Sequence, residues 1–360
     1  MIDSTNTDTA AQHFDIAVLI GRFQPPHLGH LALLQQALTR ADKVVVIIGS
    51  ALQARSPKNP FTWQERAAMF TGALSSADAA RVAFLPVRDY YDEPRWVAAV
   101  REAVTSHSKP GARIGLIGHF KDSSSSYLAH FPGWELVSLP RQNSIDATPI
   151  RDAYFGANEA EALEGFSPLA PDLSQNSLTF LQQFSNTPAY GELQTEWQML
   201  RKYKASWTAA PYAPVFVTVD ALVRCGNEVL VIRRGHAPGK NLLALPGGFL
   251  EPRDTLWQSC LRELQEETHC EITETRLQQA LQSVTVFDHP DRSLRGRTIT
   301  HVHYFDLGQQ DKPSVRADDD AAEAFWLSID AIRLREAEFF EDHFRILQNL
   351  LVPAQNLGNV

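Results

Sequence analysis

The chain has 360 residues, of which 44% are hydrophobic and 21% charged, and it carries a net charge of −9. This length exceeds what one ordinary hydrophobic core accommodates, so we expect two domains. The composition is typical of a soluble globular protein. The acidic balance excludes a large nucleic-acid surface, which would need an excess of lysine and arginine.

Cysteine usage and the ends of the chain indicate a compartment. Cys225, Cys260 and Cys270 have neither the number nor the spacing of a disulfide framework or a zinc site. Residues 1–13 are polar and lack an apolar centre, so we expect a disordered tail rather than a signal peptide. No apolar run approaches the ~20 residues of a membrane span. We therefore expect a cytoplasmic protein with no membrane partner, and the sequence leaves open whether it forms homo-oligomers.

The segment Gly21-Arg22-Phe23-Gln24-Pro25-Pro26-His27-Leu28-Gly29-His30 joins an apolar, β-branched run to a helical pattern that begins at Leu28. A helix start at the carboxyl end of a buried strand is where open α/β sheets bind phosphate. His27 and His30 lie three residues apart in the first turn, so both can stabilise charge that develops during nucleotidyl transfer. Gly29 allows a substrate to approach the backbone closely. Two ordinary loop histidines are the alternative.

The first half continues as apolar runs separated by helical patterns, which predicts a parallel sheet. The helix after Thr62 begins with a capping box. Thr148 is predicted to cap a further helix, and Arg151, one turn later, can reach a phosphate. Lys121 and Asp122 follow the fourth strand at the same edge as His27. They can bind phosphate and ribose, or belong to a solvated serine-rich loop.

The motif at residues 21–30 resembles the nucleotidyltransferase superfamily with a His-x-Gly-His signature, and in particular the nicotinamide mononucleotide (NMN) adenylyltransferases of the archaeal type. The resemblance implies a Rossmann-like domain that joins NMN to ATP, giving NAD and pyrophosphate without a covalent intermediate. It implies substrate-binding roles for Gly21, Arg22, Phe23 and Gly29, beside catalytic His27 and His30.

The resemblance extends to three later positions. It implies that Arg66, after an Asn-Pro-Phe-Thr segment, lies near the nucleotide phosphates, and that Trp96 stacks on the nicotinamide ring. The alternatives are a plain capped helix and a core tryptophan. Residues 145–151 resemble the second superfamily signature, Ile-Ser-Ser-Thr-x-x-Arg. Asp146 and Ala147 replace its serines, so only Thr148 and catalytic Arg151 carry over.

The second half begins after a proline-rich stretch at residues 209–214. We expect a first domain at 14–190, a linker helix at 191–212, a second domain at 213–350 and a tail at 351–360. In the second domain, residues 255–268 form a helical pattern after a Gly-Gly turn. Glu263, Glu266 and Glu267 then share one helix face. Such oxygen ligands select Mg²⁺, or Mn²⁺, which can activate a water and neutralise a diphosphate. An exposed acidic helix is the alternative.

The motif from Gly248 to Glu267 resembles the Nudix hydrolase box, with Asp254 in place of a glutamate, His269 in place of a glycine and Cys270 in place of an aliphatic residue. The resemblance implies an α/β/α domain with a mixed sheet, in which Gly247 also contributes to the metal site. A predicted hairpin loop carries Arg292, Arg295 and Arg297. These arginines can grip substrate phosphates, or the loop is simply solvated.

The order of the two motifs resembles the bifunctional NMN adenylyltransferase/Nudix hydrolases of bacteria, over nearly all of residues 14–350. The resemblance implies a second reaction, Mg²⁺-dependent hydrolysis of ADP-ribose to AMP and ribose 5-phosphate. Its expected partners are therefore small molecules: ATP, NMN, NAD and ADP-ribose. Two alternatives remain open. The first domain could adenylylate another phosphate ester, such as phosphopantetheine or flavin mononucleotide, and the second could be a sensor that binds ADP-ribose without cleaving it.

Overall fold

The structure is a computed structural model that describes residues 13–118, 130–139, 145–157, 171–309 and 311–351. The chain divides into two units. The first contains residues 1–52 and 58–190, and the second contains residues 53–57 and 191–360. The division falls inside one helix, Pro188–Ala205.

The first unit is built on a five-stranded parallel sheet with the order β3-β2-β1-β4-β5. Its strands are β1 (Phe14–Gly21), β2 (Ala41–Ile48), β3 (Val82–Pro86), β4 (Ile114–Gly118) and β5 (Glu135–Ser138). Alternate residues of β1 enter different cores, Ala17 and Leu19 on one face and Ile16 and Val18 on the other. The sheet is therefore covered on both faces, as the apolar runs predict.

Helices connect these strands and extend beyond them. They are α1 (Leu28–Leu38), α2 (Trp63–Thr71), α3 (Ser76–Ala79), α4 (Glu93–Thr105), α5 (Ala147–Gly156), α6 (Gln175–Phe184) and α7 (Pro188–Ala205). Thr62 caps α2 through its side chain, and Glu65 completes the capping box, as the sequence predicts. The Rossmann-like order places the carboxyl ends of β1 and β4 side by side, where ligands of such sheets bind.

The second unit contains a mixed sheet with the order β10-β11-β6-β7-β12, in which β11 and β6 are parallel. Its strands are β6 (Val215–Cys225), β7 (Glu228–Arg234), β8 (Leu243–Ala244), β9 (Gly247–Phe249), β10 (Leu281–Phe287), β11 (Arg297–Asp306) and β12 (Ala321–Ser328). Strand β8 pairs with β7, and β9 pairs with β6. The expected mixed sheet is confirmed.

The helices of the second unit cover both faces of this sheet. They are α8 (Leu256–Thr268), α9 (Glu274–Ala280), α10 (Ile329–Ile332) and α11 (His343–Leu351). Cys260 and Leu264 of α8 pack on the face of Val219 and Val223. Phe344, Ile346 and Leu347 of α11 pack on the opposite face. Helix α8 therefore rests on the sheet with its other side available for chemistry. In the part of the chain that is described, no helix is long and apolar enough to span a bilayer.

Candidate active sites

Hydrogen bonds fix the loop between β1 and α1. The Gly49 amide, at the end of β2, donates to the Gly21 carbonyl at 2.9 Å. A Cβ on Gly21 would lie 2.8 Å from the Phe23 ring, so this position requires glycine. The buried Gln24 amide group donates to the Phe61 carbonyl at 2.8 Å and accepts from the Phe61 amide at 3.0 Å. These contacts hold the start of α1 against the strand ends.

The structure brings the two predicted histidines together at the N-terminus of α1. His27 is the N-cap, and its ring stacks on that of His30 with centroids 3.6 Å apart. The His27 amide donates to Nδ1 of His30 at 3.3 Å. Because Nδ1 is an acceptor there, the neutral imidazole carries its proton on Nε2, which makes Nε2 a hydrogen-bond donor. The first turn of α1 thus combines imidazole donors with helix-start amides, the combination that binds phosphate.

Arg151 reaches the same loop from α5. It donates from Nη1 to the Gln24 carbonyl at 2.7 Å and from Nη2 to Thr148 Oγ1 at 3.0 Å. Burial, followed by the positive charge of Arg22, lowers the pKa of Arg151 to about 10. Arg151 therefore remains a cation at neutral pH. Two guanidiniums that repel each other favour a polyphosphate between them.

Arg66 does not have the predicted phosphate contact. Its side chain is 0% exposed. It donates to four backbone carbonyls, those of Arg22, Gly49, Ser50 and Thr62. Every nitrogen of the guanidinium is thereby engaged with the backbone, so Arg66 holds the ends of β1 and β2 in place and has no surface with which to contact a nucleotide.

The predicted substrate-binding role of Phe23 is also wrong, because this residue is only 5% exposed. Its ring makes edge contacts with His30, at 4.9 Å between centroids, and with Phe70 at 5.1 Å. It positions the histidine rather than offering a surface to a substrate. Gly29 lies in the first turn of α1 and is half-buried, in keeping with close approach of a ligand.

The remaining predictions for the first domain concern the start of α5, the stacking role of Trp96, and the pair Lys121 and Asp122. Helix α5 begins at Ala147 with Asp146 as its N-cap, so the predicted cap at Thr148 is wrong. Proline at 149 is still compatible, because amides of the first turn have no intrahelical partner. Trp96 lies half-buried in α4, 6.1 Å from the Phe131 ring, and its stacking on nicotinamide stays a prediction. Lys121 and Asp122 lie outside the described residues.

In the second unit, β9 and α8 bring the Gly-Gly turn against the acidic helix face. The Gly247 amide donates to Oε2 of Glu267 at 2.8 Å. Glu267 is 2% exposed, and this burial raises its pKa to about 8. A Cβ on Gly248 would clash with the Glu263 carboxylate. The glycines therefore permit the close approach of strand and carboxylates.

Arg262 organises the remaining acidic groups. Its guanidinium lies 2.9 Å from Oε1 of Glu263, 2.7 Å from Oε2 of Glu266 and 3.3 Å from Oδ2 of Asp254. Asp254, although shorter than the family's glutamate, still reaches Arg262, and it also accepts from the Ser259 hydroxyl at 3.1 Å. The departure from the Nudix consensus at Asp254 therefore preserves the contact with the arginine.

The donors of this site fit a hard divalent cation. The carboxylates of Glu263, Glu266 and Glu267 supply oxygen ligands, as does the Gly247 backbone. Burial raises the pKa of both Glu263 and Glu267, so their charged forms need a compensating cation. Across the described residues, no three His, Cys, Asp or Glu side chains are arranged as a ready metal site. Arg262 holds Glu263 and Glu266, and metal binding therefore competes with these ion pairs.

The predicted arginine grip of the β10–β11 loop is only partly supported. Arg292 is buried and pairs with both carboxylate oxygens of Asp342, at 3.0 and 2.8 Å, so its expected phosphate contact is wrong. Arg297 is directed to the Asp288 carbonyl. Arg295 is partly buried, and its guanidinium lies over the Phe249 ring at 4.9 Å.

The sequence did not single out Gln24 or Asp220. Gln24 gives no signal beyond being a polar residue beside prolines, because its two bonds join it to a residue far along the chain. Asp220 lies fully buried in β6, where burial raises its pKa and the Thr300 hydroxyl donates to it. A carboxylate in the middle of a mostly apolar strand is a signal that sequence analysis could have used.

Comparisons with known proteins match both halves of the chain. A Cytidylyltransferase-like family model matches residues 18–106, and a NUDIX domain model matches residues 214–350. The nicotinamide/nicotinic acid mononucleotide adenylyltransferase of Acinetobacter baylyi is 38% identical over 186 residues, which cover 51% of this chain and 94% of that protein.

Two solved structures are similar over almost the whole chain. Both are of a bifunctional NMN adenylyltransferase/ADP ribose pyrophosphatase from Francisella tularensis, one of them complexed with AMP and a manganese ion. They are 36% identical, cover 94% of this chain and 98% of their own, and have TM-scores of 0.86 and 0.85.

The fold and the sites define an α/β protein in which a Rossmann-like nucleotidyltransferase domain precedes a Nudix domain. The similarity to the Francisella tularensis structures extends across both domains. The chain belongs to the family of bifunctional NMN adenylyltransferase/ADP ribose pyrophosphatases.

Proposed function

We propose that the first domain transfers the adenylyl group of ATP to NMN and thereby makes NAD. The stacked His27 and His30 at the start of α1 are the observation that carries this proposal. The NMN phosphate attacks the α-phosphorus of ATP, the bond to the β-phosphate breaks, and pyrophosphate leaves. The imidazoles and α1 amides stabilise the negative charge that develops at the α-phosphate, while Arg22 and Arg151 bind the departing pyrophosphate.

This proposal is tested by measuring NAD formation from ATP and NMN with wild type and His30→Ala. We expect kcat to fall about 100-fold or more in the variant, because one preorganised donor to the transition state is lost. His107→Ala, at an exposed position of the same domain, is the matched control and should behave as wild type. Unchanged NAD formation in His30→Ala would refute the assignment. Faster adenylylation of phosphopantetheine or flavin mononucleotide than of NMN would favour the alternative substrates.

For the second domain we propose hydrolysis of ADP-ribose to AMP and ribose 5-phosphate, with Mg²⁺ as the cation. The carboxylates of Glu263, Glu266 and Glu267 and the Gly247 backbone would hold the metal. When bound, the cation lowers the pKa of a water and offsets the charge of the diphosphate. The observation that carries this proposal is the buried Glu267 carboxylate, which the Gly247 amide orients.

The hydrolysis is tested with the full chain, ADP-ribose and Mg²⁺, by following AMP release. Glu267→Gln retains an acceptor for the Gly247 amide but loses the charge, so we expect AMP release to fall at least about 100-fold while the fold persists. Binding of ADP-ribose by wild type without any AMP release would establish the sensor alternative instead. A parallel panel of dinucleotides and ADP-sugars identifies the preferred substrate.

The compartment we propose is the reducing cytoplasm. Cys260 and Cys270 are buried thiols, and burial raises the pKa of both. Buried, protonated thiols of this kind are poor nucleophiles and play no part in either proposed reaction.

A further inference from the structure

Two arginines of the second unit share one phenyl ring beside the Nudix motif. Arg234 is the last residue of β7, and its guanidinium lies 4.4 Å from the centre of the Phe340 ring. Arg295 lies between β10 and β11, 5.9 Å from the same ring and 4.9 Å from the ring of Phe249. The end of β7 and the β10–β11 loop, which are distant in sequence, therefore place two cations against the Phe340 ring.

The positive charge of this pair is incompletely compensated. Arg234 uses Nε to donate to the Pro238 carbonyl at 2.8 Å, and within the described parts of the chain it has no ion pair. Arg295 has one carboxylate nearby, Oε2 of Glu341 at 3.8 Å. The other oxygen of Glu341 already accepts from the Ser293 hydroxyl at 2.7 Å. The carboxylates of Glu267, Glu341 and Asp320 act on Arg234 from beyond ion-pair distance, and they do not offset the effects of burial and of Arg295 on its pKa.

Arg292, in the same loop as Arg295, has a structural role and serves as a comparison. It is buried and pairs with both oxygens of Asp342 at 3.0 and 2.8 Å. Arg234, in contrast, is partly exposed, and its pKa is lowered by burial and then by the neighbouring charge of Arg295. Holding two poorly compensated cations together is unfavourable unless an anion binds between them.

The pair also lies close to the proposed metal ligands. Arg234 and Glu267 are near enough that each shifts the other's pKa toward its charged form. Phe249, which supports Arg295, belongs to β9, two residues after Gly247. An anion held by the arginines would therefore lie beside the carboxylate face of α8.

We propose that Arg234 and Arg295 form an anion-binding pair that holds the diphosphate of a nucleoside-diphosphate substrate, with Phe249 and Phe340 fixing the two guanidiniums. The inference rests on the proposed hydrolysis, whose substrate residues it names. A diphosphate carries one negative charge for each arginine, and the forked donors of both match phosphate oxygens. A phosphate monoester would engage the pair less completely.

The test compares Arg234→Gln and Arg295→Gln with wild type in the full chain. Each variant should raise the KM for ADP-ribose hydrolysis about tenfold or more, with a smaller effect on kcat, because a charge-assisted hydrogen bond is lost. Arg234→Lys should recover part of this loss, since it restores the charge but not the fork. Arg233→Gln is the matched control, because Arg233 pairs with Glu323 at 2.8 Å and should change KM less than about twofold.

A binding titration separates this inference from the proposed reaction. ADP-ribose is titrated in EDTA into wild type, Arg234→Gln and Arg233→Gln. The three share the same first domain, so differences report the second. Weaker binding in Arg234→Gln alone supports the anion pair even if wild type releases no AMP, an outcome that would remove only the hydrolysis.

Two outcomes would overturn the inference. The first is that both glutamine variants, with wild-type melting temperature, bind and hydrolyse ADP-ribose as wild type does. The second is that Arg234→Gln weakens AMP and ADP-ribose binding equally, because the pair would then recognise a single phosphate rather than a diphosphate. Arg295→Gln, in a different element, keeps the test decisive if Arg234→Gln fails to fold.

Discussion

Arg66 illustrates how one side chain holds a ligand-binding loop without facing the ligand. Its four carbonyl acceptors lie on the β1–α1 loop, at the end of β2 and at the start of α2. Burial lowers its pKa to about 10, which still leaves it charged at neutral pH. The sequence shows an arginine in a capped helix, but the direction of its guanidinium depends on where three separate segments meet.

We predict that Arg66→Lys destabilises the protein and slows NAD formation. Lysine concentrates its donors on one nitrogen and cannot reach carbonyls in several directions, so buried carbonyls lose their partners, at roughly 2–4 kcal/mol. Urea unfolding of the full chain measures the loss. Arg101→Lys is the control, since the half-buried Arg101 makes one side-chain hydrogen bond among the described residues, to the Pro132 carbonyl at 3.1 Å. Equal unfolding midpoints for wild type and Arg66→Lys would contradict this role.

His269 shows how the chain accommodates a residue where the Nudix consensus has glycine. It ends α8 with φ of 41°, in the left-handed region that glycine adopts most easily. Its Nε2 contacts Oδ2 of Asp318 at 2.8 Å, which holds the side chain in place. Asp318 also donates its amide to the Glu267 carbonyl, so this contact lies beside the Nudix helix end.

The strain at His269 leads to a prediction about two substitutions. His269→Ala keeps the unfavourable backbone and loses the Asp318 contact, whereas His269→Gly relieves the backbone. We expect the glycine variant to be more stable than the alanine variant by about 1 kcal/mol. Thermal unfolding of both gives the order directly. An alanine variant as stable as the glycine variant would show that the left-handed conformation carries no strain.

At the scale of elements, the sequence predicts the strands better than it predicts the side-chain contacts between elements. The runs at 16–20, 44–50, 82–87, 113–118 and 135–139 all correspond to strands of the first sheet, because a buried parallel strand needs a continuous apolar run. The α8 face was also predictable, since helical spacing alone places Glu263, Glu266 and Glu267 together. These features depend on local pattern.

Side-chain contacts between residues far apart in the chain could not be predicted from local sequence patterns. Asp146 is the N-cap of α5, whereas Thr148 accepts a hydrogen bond from Arg151, which also donates to the Gln24 carbonyl. Arg292 was expected to bind phosphate, but Asp342, fifty residues later, pairs with it. A basic residue in a loop does not reveal whether its partner is a ligand or a distant carboxylate.

Helix α11 carries a buried histidine, His343, from which we predict that the free energy of unfolding depends on pH. His343 accepts the Leu245 amide on Nδ1 at 3.0 Å, and burial lowers its pKa to about 4. Arg292 and Arg234 lower this pKa further, whereas Asp342 and Glu341 oppose them. The histidine is therefore neutral in the folded chain at pH values where the unfolded chain, with a pKa near 6.5, is protonated.

Proton uptake by the unfolded chain sets the direction of this pH dependence. Between about pH 6.5 and 4 the unfolded state binds a proton that the folded state does not, so stability falls as the pH is lowered, by up to roughly 3 kcal/mol. His343→Asn retains an acceptor but does not titrate. Urea unfolding at pH 7 and pH 4.5 should show a larger loss for wild type than for the variant. Equal losses would mean that His343 does not contribute.

At the scale of the whole molecule, each unit contains its own core and its own site. The first has cores on both faces of the parallel sheet, and the second has cores on both faces of the mixed sheet. The histidine site is built from residues of the first unit, and the acidic helix site from residues of the second. This organisation implies that the two reactions can be abolished separately.

The central claim is that two phosphate chemistries are carried by different side chains of one polypeptide. Its most direct test measures both reactions in the same preparations of wild type, His30→Ala and Glu267→Gln. We predict that His30→Ala loses NAD formation and keeps AMP release from ADP-ribose, whereas Glu267→Gln loses AMP release and keeps NAD formation. Either variant losing both reactions while folded, or neither variant losing any, would contradict this account.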